Sequence, residues 1–452
     1  MEKLTLKEIA EALDGSYNND CEINGVCIDT RKITEGCLFI CIKGERFDAH
    51  QFAAEALEKG AAAVMIHNEP DFEGNYVKVS DTSKALLDLG GYYRSKFDIP
   101  LVGLTGSVGK TTTKEFTYLV VSAKYNAIKT LGNLNNEIGL PRMLLSIDSK
   151  TEAAVIEMGM NHFGEIHRLT LAAKPTVGLI TNIGVSHIEN LGSREGILKA
   201  KLELLDGLKK GAPLILNGDN DLLKTVKNDD YDVRFYSVED KSCDFVANNI
   251  SENDGATEFE ISFFGKTQKV RIPTIGIHNV YNALSAFAVG YYLDIEPGLC
   301  AKALGEYVPE GMRQKTVKLG GITCIEDCYN ASPDSMRAAI NTLANTQGKR
   351  KIAVLSDMLE LGDYSDRAHA EVGRLVGENG IDYLFCCGEA SKHMAKACEE
   401  YKTKVYYFEN KKALTEKLIG EIRDGDAVIF KASRGMKLEE VIHSLYDRWE
   451  KK

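Results

Sequence analysis

The chain has 452 residues, 44% of them apolar and 27% charged, and a formal net charge of −11. That profile is one of a soluble globular protein of two to four domains. The acidic balance disfavours general nucleic-acid binding, and no apolar run is long enough to span a bilayer. The eleven cysteines are odd in number and scattered through apolar runs such as "GCLFICIKG" and "YLFCCGEA". They suit buried thiols in a reducing cytoplasm, not a disulfide framework, and no pair has zinc-site spacing.

The first residues, "MEKLTLKEIAEALDG", read as an amphipathic helix and not as a signal peptide. A first block, residues 1–98, mixes short strands ("GCLFICIKG", "AAAVMIH", "YVKVS") with helices ("HQFAAEALEKG", "SKALLDLGGYYRSKF"). A second block, residues 99–312, opens at "IPLVGLTG" and alternates strand with helix. Its apolar runs "AAVIEMGMN" and "TVGLITNIG" have the length of strands inside a parallel sheet. From Cys243 to Pro273 the pattern turns to strict alternation, which predicts an antiparallel hairpin, and "NVYNALSAFAVGYYL" then predicts a helix. A third block, residues 313–452, begins near "GMRQK" and alternates again through "ITCIEDCYN", "SMRAAINTLAN", "KIAVLSDM" and "DAVIFKASRG". It predicts a second doubly wound unit. Cys386 and Cys387 are neighbours in a strand there, so they point to opposite faces of the sheet.

The stretch "LTGSVGKTTTKEF" joins a strand, a glycine turn and a helix N-terminus, the parts of a phosphate site. Thr105, Gly106, Ser107 and Gly109 shape the loop. Lys110 reaches the β- and γ-phosphates, and Thr111 and Thr112 offer hydroxyls, the first of them to Mg²⁺. The first glycine of a full Walker A pattern is replaced by Leu104. A switch GTPase or an AAA-type motor would share such a loop. Neither is supported, for there is no Asn-Lys-x-Asp stretch and no apolar run ending in Asp-Glu.

Glu157 ends an apolar strand, where a carboxylate can face the phosphate loop and hold Mg²⁺. Asn182 and His187 follow the next strand, and His187 is expected as a second Mg²⁺ ligand. Lys199 and Lys201 lie on a helix near its apolar face, where snorkelling lysines are common. Asn279 and Asn282 are three apart on one helix face; from spacing alone they could read a base or cap the helix. Asp327, Tyr329 and Asn330, and separately Lys431, Ser433 and Arg434, sit at strand ends of the third block. Both groups can face a shared cleft.

Together these stretches resemble the Mur ligase family of peptidoglycan synthesis across essentially the whole chain. The resemblance is carried by "DTRKITEGCLFICIKGERFDAHQF", "LTGSVGKTTTKE", "GNLNNEIGLP", "EMGMNHFGEIHRL", "TNIGVSHIENLGS", "KAKLEL", "GIHNVYNALSA", "DCYNASPDSM" and "DMLELGD". Ser332 departs from the pattern, which more often has Asn before the proline. Folylpolyglutamate and cyanophycin synthetases share the phosphate loop but lack a first domain of this kind.

The resemblance implies an α/β protein of three domains: a small α/β UDP-substrate domain, a central P-loop-type domain with a mostly parallel sheet and helices on both faces, and a C-terminal Rossmann-like domain. It implies an ADP-forming ligase that adds D-alanyl-D-alanine to UDP-N-acetylmuramoyl-tripeptide through an acyl phosphate, as a cytoplasmic monomer without membrane insertion. Thr30, Arg31, Arg46, Phe47 and His50 would then hold the UDP-sugar, and Asn133, Asn135 and Asn136 its pyrophosphate and muramoyl side. ATP would meet the phosphate loop, Asn279, Asn282, Arg313, Asp327 and Asn330. Tyr329, Asp357, Lys431, Ser433 and Arg434 would lie on the dipeptide side. Two Mg²⁺ ions would be held by Thr111, Glu157, His187 and Lys201, the last as a carbamate. His187 could instead assist removal of the amine proton, a role that metal binding would exclude.

Overall fold

The computed structural model describes residues 1–44, 47–253, 255–309 and 311–449. Its strands form three main sheets, one in each of three successive stretches of chain. The first has five strands, with Cys37–Ile40 and Ala63–Ile66 fully buried at its middle. All its pairings are parallel except that of Ser16–Tyr17 with Tyr76–Lys78. The N-terminal helix is shorter than its apolar pattern predicts, Leu6–Ala12. Thr5 accepts a hydrogen bond from the Glu8 N–H and so fixes the helix start. Leu4–Thr5 before it is extended and pairs with Glu22–Ile23.

The second sheet has nine strands. Leu101–Thr105 lies between Ala153–Glu157 and Val177–Ile180, parallel to both. These three strands are buried along their whole length, which is why they read as continuous apolar runs and do not alternate. The predicted hairpin is a three-stranded antiparallel meander, Phe245–Asn253, Ala256–Phe263 and Lys266–Ile272. It extends the parallel sheet at one edge through pairing with Asp232–Ser237. One solvated face explains the alternation there.

The third sheet has six strands. Its core is parallel, as a doubly wound unit requires, but Lys315–Leu319 adds an antiparallel edge to Ile322–Glu326. This edge strand escapes the sequence pattern because it is mostly exposed and lysine-rich. All eleven cysteines are free thiols. Cys386 packs in the core on one face of this sheet and Cys387 in the core on the other.

The first and second units share one continuous core. The helix Thr82–Arg94 makes the join. Gly90 and Gly91 let it approach the backbone of Pro141 and Ala172, and the Tyr93 hydroxyl donates to the Ile147 carbonyl at 2.7 Å. Arg94 is buried and donates to the carbonyls of Ala173, Phe97 and Ile99, fixing the turn into the second sheet. No described helix is long and apolar enough to cross a membrane.

Candidate functional site

The carboxyl ends of the parallel strands of the second sheet open on a cavity of about 440 Å³. Strand ends of the third unit line it from the other side, the position expected for a ligand site in α/β folds.

The phosphate loop follows strand Leu101–Thr105 and starts helix Lys110–Ser122. Gly106 has φ 154°, and a Cβ there would fall 1.8 Å from the Thr181 hydroxyl. Gly109 caps the helix at φ 84°. The neighbouring strand end clamps the loop. Asn182 Oδ1 accepts from the N–H groups of Ser107 and Val108 at 3.1 and 2.8 Å, and the Thr181 hydroxyl donates to the Val108 carbonyl at 2.8 Å. The Gly184 N–H donates to Ser107 Oγ at 3.0 Å. Thr105 is wholly buried, whereas Ser107, Gly109, Lys110, Thr111 and Thr112 line the cavity. Lys110 Nζ donates to the Gly106 carbonyl at 2.7 Å. Burial pushes its pKa down; Glu157 opposes that and Arg313 adds to it.

Glu157 is buried at its strand end, and its N–H donates to Thr130 Oγ1. One carboxylate oxygen accepts from the Thr111 hydroxyl at 3.0 Å and the other from Asn135 Nδ2 at 2.8 Å. Asn135 therefore sits at this carboxylate. Asn136 lines the cavity too, but its side-chain oxygen accepts from the N–H groups of Gly139 and Ile138, at the start of helix Gly139–Leu144. Asn133 is exposed and outside the cavity lining. His187 lines the cavity with φ 64°, and its Nδ1 lies 2.8 Å from Glu360 Oε2 of the third unit.

Lys201 is 1% exposed, on helix Arg194–Leu202. Its pKa is driven well below the ordinary lysine value by burial and by the charge of Lys110. Lys199 instead lies 5.9 Å from the Phe163 ring centre. Asn282 Oδ1 accepts from Thr113 Oγ1 at 3.0 Å, and Asn279 Nδ2 donates to the Ile275 carbonyl at 2.8 Å. Both asparagines are buried and line the cavity.

From the third unit, the Arg313 guanidinium lies 3.9 Å above the Tyr329 ring centre. Lys431 Nζ is 2.8 Å from Asp327 Oδ2 and donates to the Asn330 carbonyl at 3.0 Å. All five residues line the cavity. Three others expected on that side do not. Asp357 accepts from the Ser391 hydroxyl at 2.5 Å and from the N–H groups of Ser391 and Ala390. Ser433 Oγ accepts the Leu359 N–H, and Arg434 is exposed and pairs with Glu439. Asp357 and Ser433 thus spend their polar atoms on holding loops together.

In the first unit, Thr30 begins a 3₁₀ turn, and Arg31 is mostly exposed and paired with Asp29 at 2.8 Å. Phe47 is exposed and stacked on Phe52. His50 is not free for a ligand: Nδ1 lies 2.5 Å from Asp48, and Nε2 accepts the His67 N–H. Arg46 lies outside the described residues. Residues that spacing alone did not pick out include Thr181, Gln314 and Tyr281, whose hydroxyl donates to Asp219 at 2.8 Å. The signal for Thr181 was its place at a strand's carboxyl end; Tyr281 lies between two asparagines already singled out.

Three family descriptions match the chain: the Mur ligase middle domain over residues 104–290, the Mur ligase glutamate ligase domain over 312–434, and the Mur ligase family catalytic domain over 22–89. The chain is 40% identical to the UDP-N-acetylmuramoyl-tripeptide–D-alanyl-D-alanine ligase of Bacillus subtilis, over 99% of each chain. It is 35% identical to the ligase of the same name from Escherichia coli, also over 99% of each. A crystal structure of MurF from Acinetobacter baumannii superposes with a TM-score of 0.93 at 30% identity, over 99% of each chain. The structure of MurF from Thermotoga maritima in complex with ADP gives 0.86 at 27% identity, covering 95% of this chain and 98% of that one.

Proposed function

The chain belongs to the Mur ligase family, and from that membership we propose that it is the ADP-forming ligase joining D-alanyl-D-alanine to UDP-N-acetylmuramoyl-tripeptide. The observation that carries the reading is the cleft itself. A phosphate loop with its Lys110 and a buried carboxylate, Glu157, on one wall face Arg313, Asp327 and Lys431 on the other; Lys201 is buried and lies outside the cavity lining.

A carboxylate is a poor electrophile toward an amine, so ATP is used to activate it. A carboxylate oxygen of the tripeptide attacks the γ-phosphorus, the bond from that phosphorus to the β–γ bridging oxygen breaks, and ADP leaves. The amine nitrogen of the dipeptide then attacks the acyl carbon and gives up a proton. The tetrahedral intermediate collapses and expels phosphate. Lys110 and the N–H groups at the start of helix Lys110–Ser122 offset the repulsion between carboxylate and phosphates. Asn182 and Thr181 hold the loop in shape before the nucleotide arrives. Arg313, Asp327 and Asn330 reach the nucleotide from the third unit, and closure of that unit keeps water from the acyl phosphate.

The donor set fits Mg²⁺. One hydroxyl and one carboxylate, Thr111 and Glu157, already lie 3.0 Å apart, and Mg²⁺ beside a nucleotide typically takes one or two carboxylates plus phosphate oxygens. His187 and Lys201 would serve a second ion. Bound there, Mg²⁺ supplies charge neutralisation at the transferring phosphoryl group. Lys201 fits a carbamate, since burial and the charge of Lys110 favour its uncharged amine, the form that is nucleophilic toward CO₂, and the product is an anionic oxygen donor. The first unit would bind the UDP-sugar, with Thr30, Arg31 and Phe47 as its contacts. On this reading the domains run 1–98, 99–312 and 313–452, and the protein works in the cytoplasm as a monomer.

The test is ADP release with ATP, Mg²⁺ and UDP-N-acetylmuramoyl-tripeptide, with and without D-alanyl-D-alanine. Release that requires the dipeptide, with a product heavier by that dipeptide less one water, is the expected result. Release with single amino acids only, or none, would reject this substrate pair.

A further inference from the structure

The linker between the second and third units carries a residue that the reaction scheme above does not use. Gln314 has φ 53°, a left-handed conformation that side chains other than glycine adopt at a cost. Its side chain joins two units. Gln314 Oε1 lies 2.8 Å from His278 Nε2 and accepts from Asn279 Nδ2 at 3.3 Å. Gln314 Nε2 donates to Thr342 Oγ1, on helix Pro333–Asn345 of the third unit, at 3.5 Å.

The orientation of these groups is determined. The Asn279 atom that donates to the Ile275 carbonyl must be nitrogen. The Gln314 atom facing that nitrogen must be oxygen, so His278 presents its N–H at Nε2. A hydrogen-bonded chain then runs from Thr113 of the phosphate-loop helix to Asn282, to Asn279 at 3.4 Å, to Gln314 and to Thr342. The preceding residue, Arg313, lies on Tyr329 of the third unit. Because these contacts tie the linker to both units, a swing of the third unit relative to the second must strain or break some of them.

We propose that Gln314 is a positioning residue for the ligase reaction, setting the orientation of the third unit according to the state of the Asn279–Asn282 pair at the nucleotide. The proposal rests on the ligase reading given above. Gln314 acts through its neighbours: it makes the nucleotide-facing asparagines and the closing unit one hydrogen-bonded assembly.

Three variants separate backbone from side chain. Q314L keeps volume and removes every polar contact. Q314G accepts the left-handed backbone without strain and also lacks the contacts. Q314E keeps acceptors for His278 and Asn279 but has no donor for Thr342. Each is measured for kcat, for ADP affinity by calorimetry, and for compaction by small-angle scattering on adding a non-hydrolysable ATP analogue. Q314L and Q314G are expected to lose about tenfold in kcat and to lose the compaction, with ADP affinity within threefold of the parent. Q314E is expected to keep ADP affinity and recover part of kcat. Parental kcat and compaction in Q314L would overturn the proposal. So would an ADP affinity that falls as far as kcat with compaction intact, since that marks direct contact with the nucleotide. If Q314L does not fold, parental kcat and compaction in Q314E would overturn it equally. A parent that binds no nucleotide would instead refute the ligase reading.

Discussion

Lys110, half-buried on the cavity wall, and Lys201, fully buried, carry charges that oppose each other, and they lead to different expectations. The Lys110 ammonium donates to its own loop at the Gly106 carbonyl, and its charge acts against the buried Lys201, so removing it breaks no bridge to a distant element and eases the burial of Lys201. Lys110→Ala should cut ADP release at least about 10²-fold while the thermal midpoint stays within a few degrees, as followed by calorimetry. Lys201 costs stability when charged. Its folded pKa lies well below the ordinary 10.5, so above that folded value the native chain is neutral there while the unfolded chain still holds the proton. The unfolded state binds more protons, and stability rises with pH up to about 10.5. In CO₂-free buffer Lys201→Met should therefore raise the melting temperature at pH 7 by about 2 °C or more, flatten its rise toward pH 10, and abolish ligase turnover. A variant that melts lower at pH 7 and keeps the rise would refute this account of the burial.

At the level of elements, the phosphate loop is fixed by the strand beside it as much as by its own sequence. A Cβ at residue 106 would meet the Thr181 hydroxyl at 1.8 Å, on a backbone angle that disfavours alanine. Gly106→Ala should weaken ADP binding more than about tenfold, a factor worth ~1.4 kcal/mol, and adding Thr181→Ala should restore only the part owed to the clash; titration calorimetry on both variants measures the split. Helix Pro333–Asn345 opens on the cleft with a capping box, in which Ser332 Oγ accepts the Ser335 N–H and Ser335 Oγ accepts the Ser332 N–H. Ser332→Ala should cost about 1 kcal/mol in urea unfolding, and Ser332→Asn, an equally good cap, only a few tenths. Serine and asparagine caps satisfy the same N–H, so the structure accepts serine at the start of this helix.

At the level of the whole molecule, the cleft is built by the second and third units together, Ser107 to Tyr307 on one side and Arg313 to Lys431 on the other. If Thr111 and Glu157 hold Mg²⁺ only together with nucleotide phosphates, chelation with EDTA should stop ADP release and leave the thermal midpoint of the nucleotide-free protein unchanged, with activity restored by added Mg²⁺. A drop in the midpoint on chelation would mean a structural metal instead.

The sequence by itself determined the order of units, the buried strands and the phosphate loop, because each rests on local pattern: apolar runs of strand length, turn glycines, and a lysine with hydroxyls opening a helix. It also placed Glu157, Asp327 and Lys431 at strand ends, and the fold brings these to one cavity. It could not separate a side chain aimed at the cleft from one spent on holding a loop. His50, Asp357 and Ser433 stand in stretches that resemble ligand-binding ones, yet each satisfies its polar atoms internally. The length of the antiparallel meander, the edge strand Lys315–Leu319 and the hydrogen-bonded chain through Gln314 were likewise decided only by tertiary structure. Which partner meets a polar atom depends on segments tens to hundreds of residues apart, and no local spacing encodes that meeting.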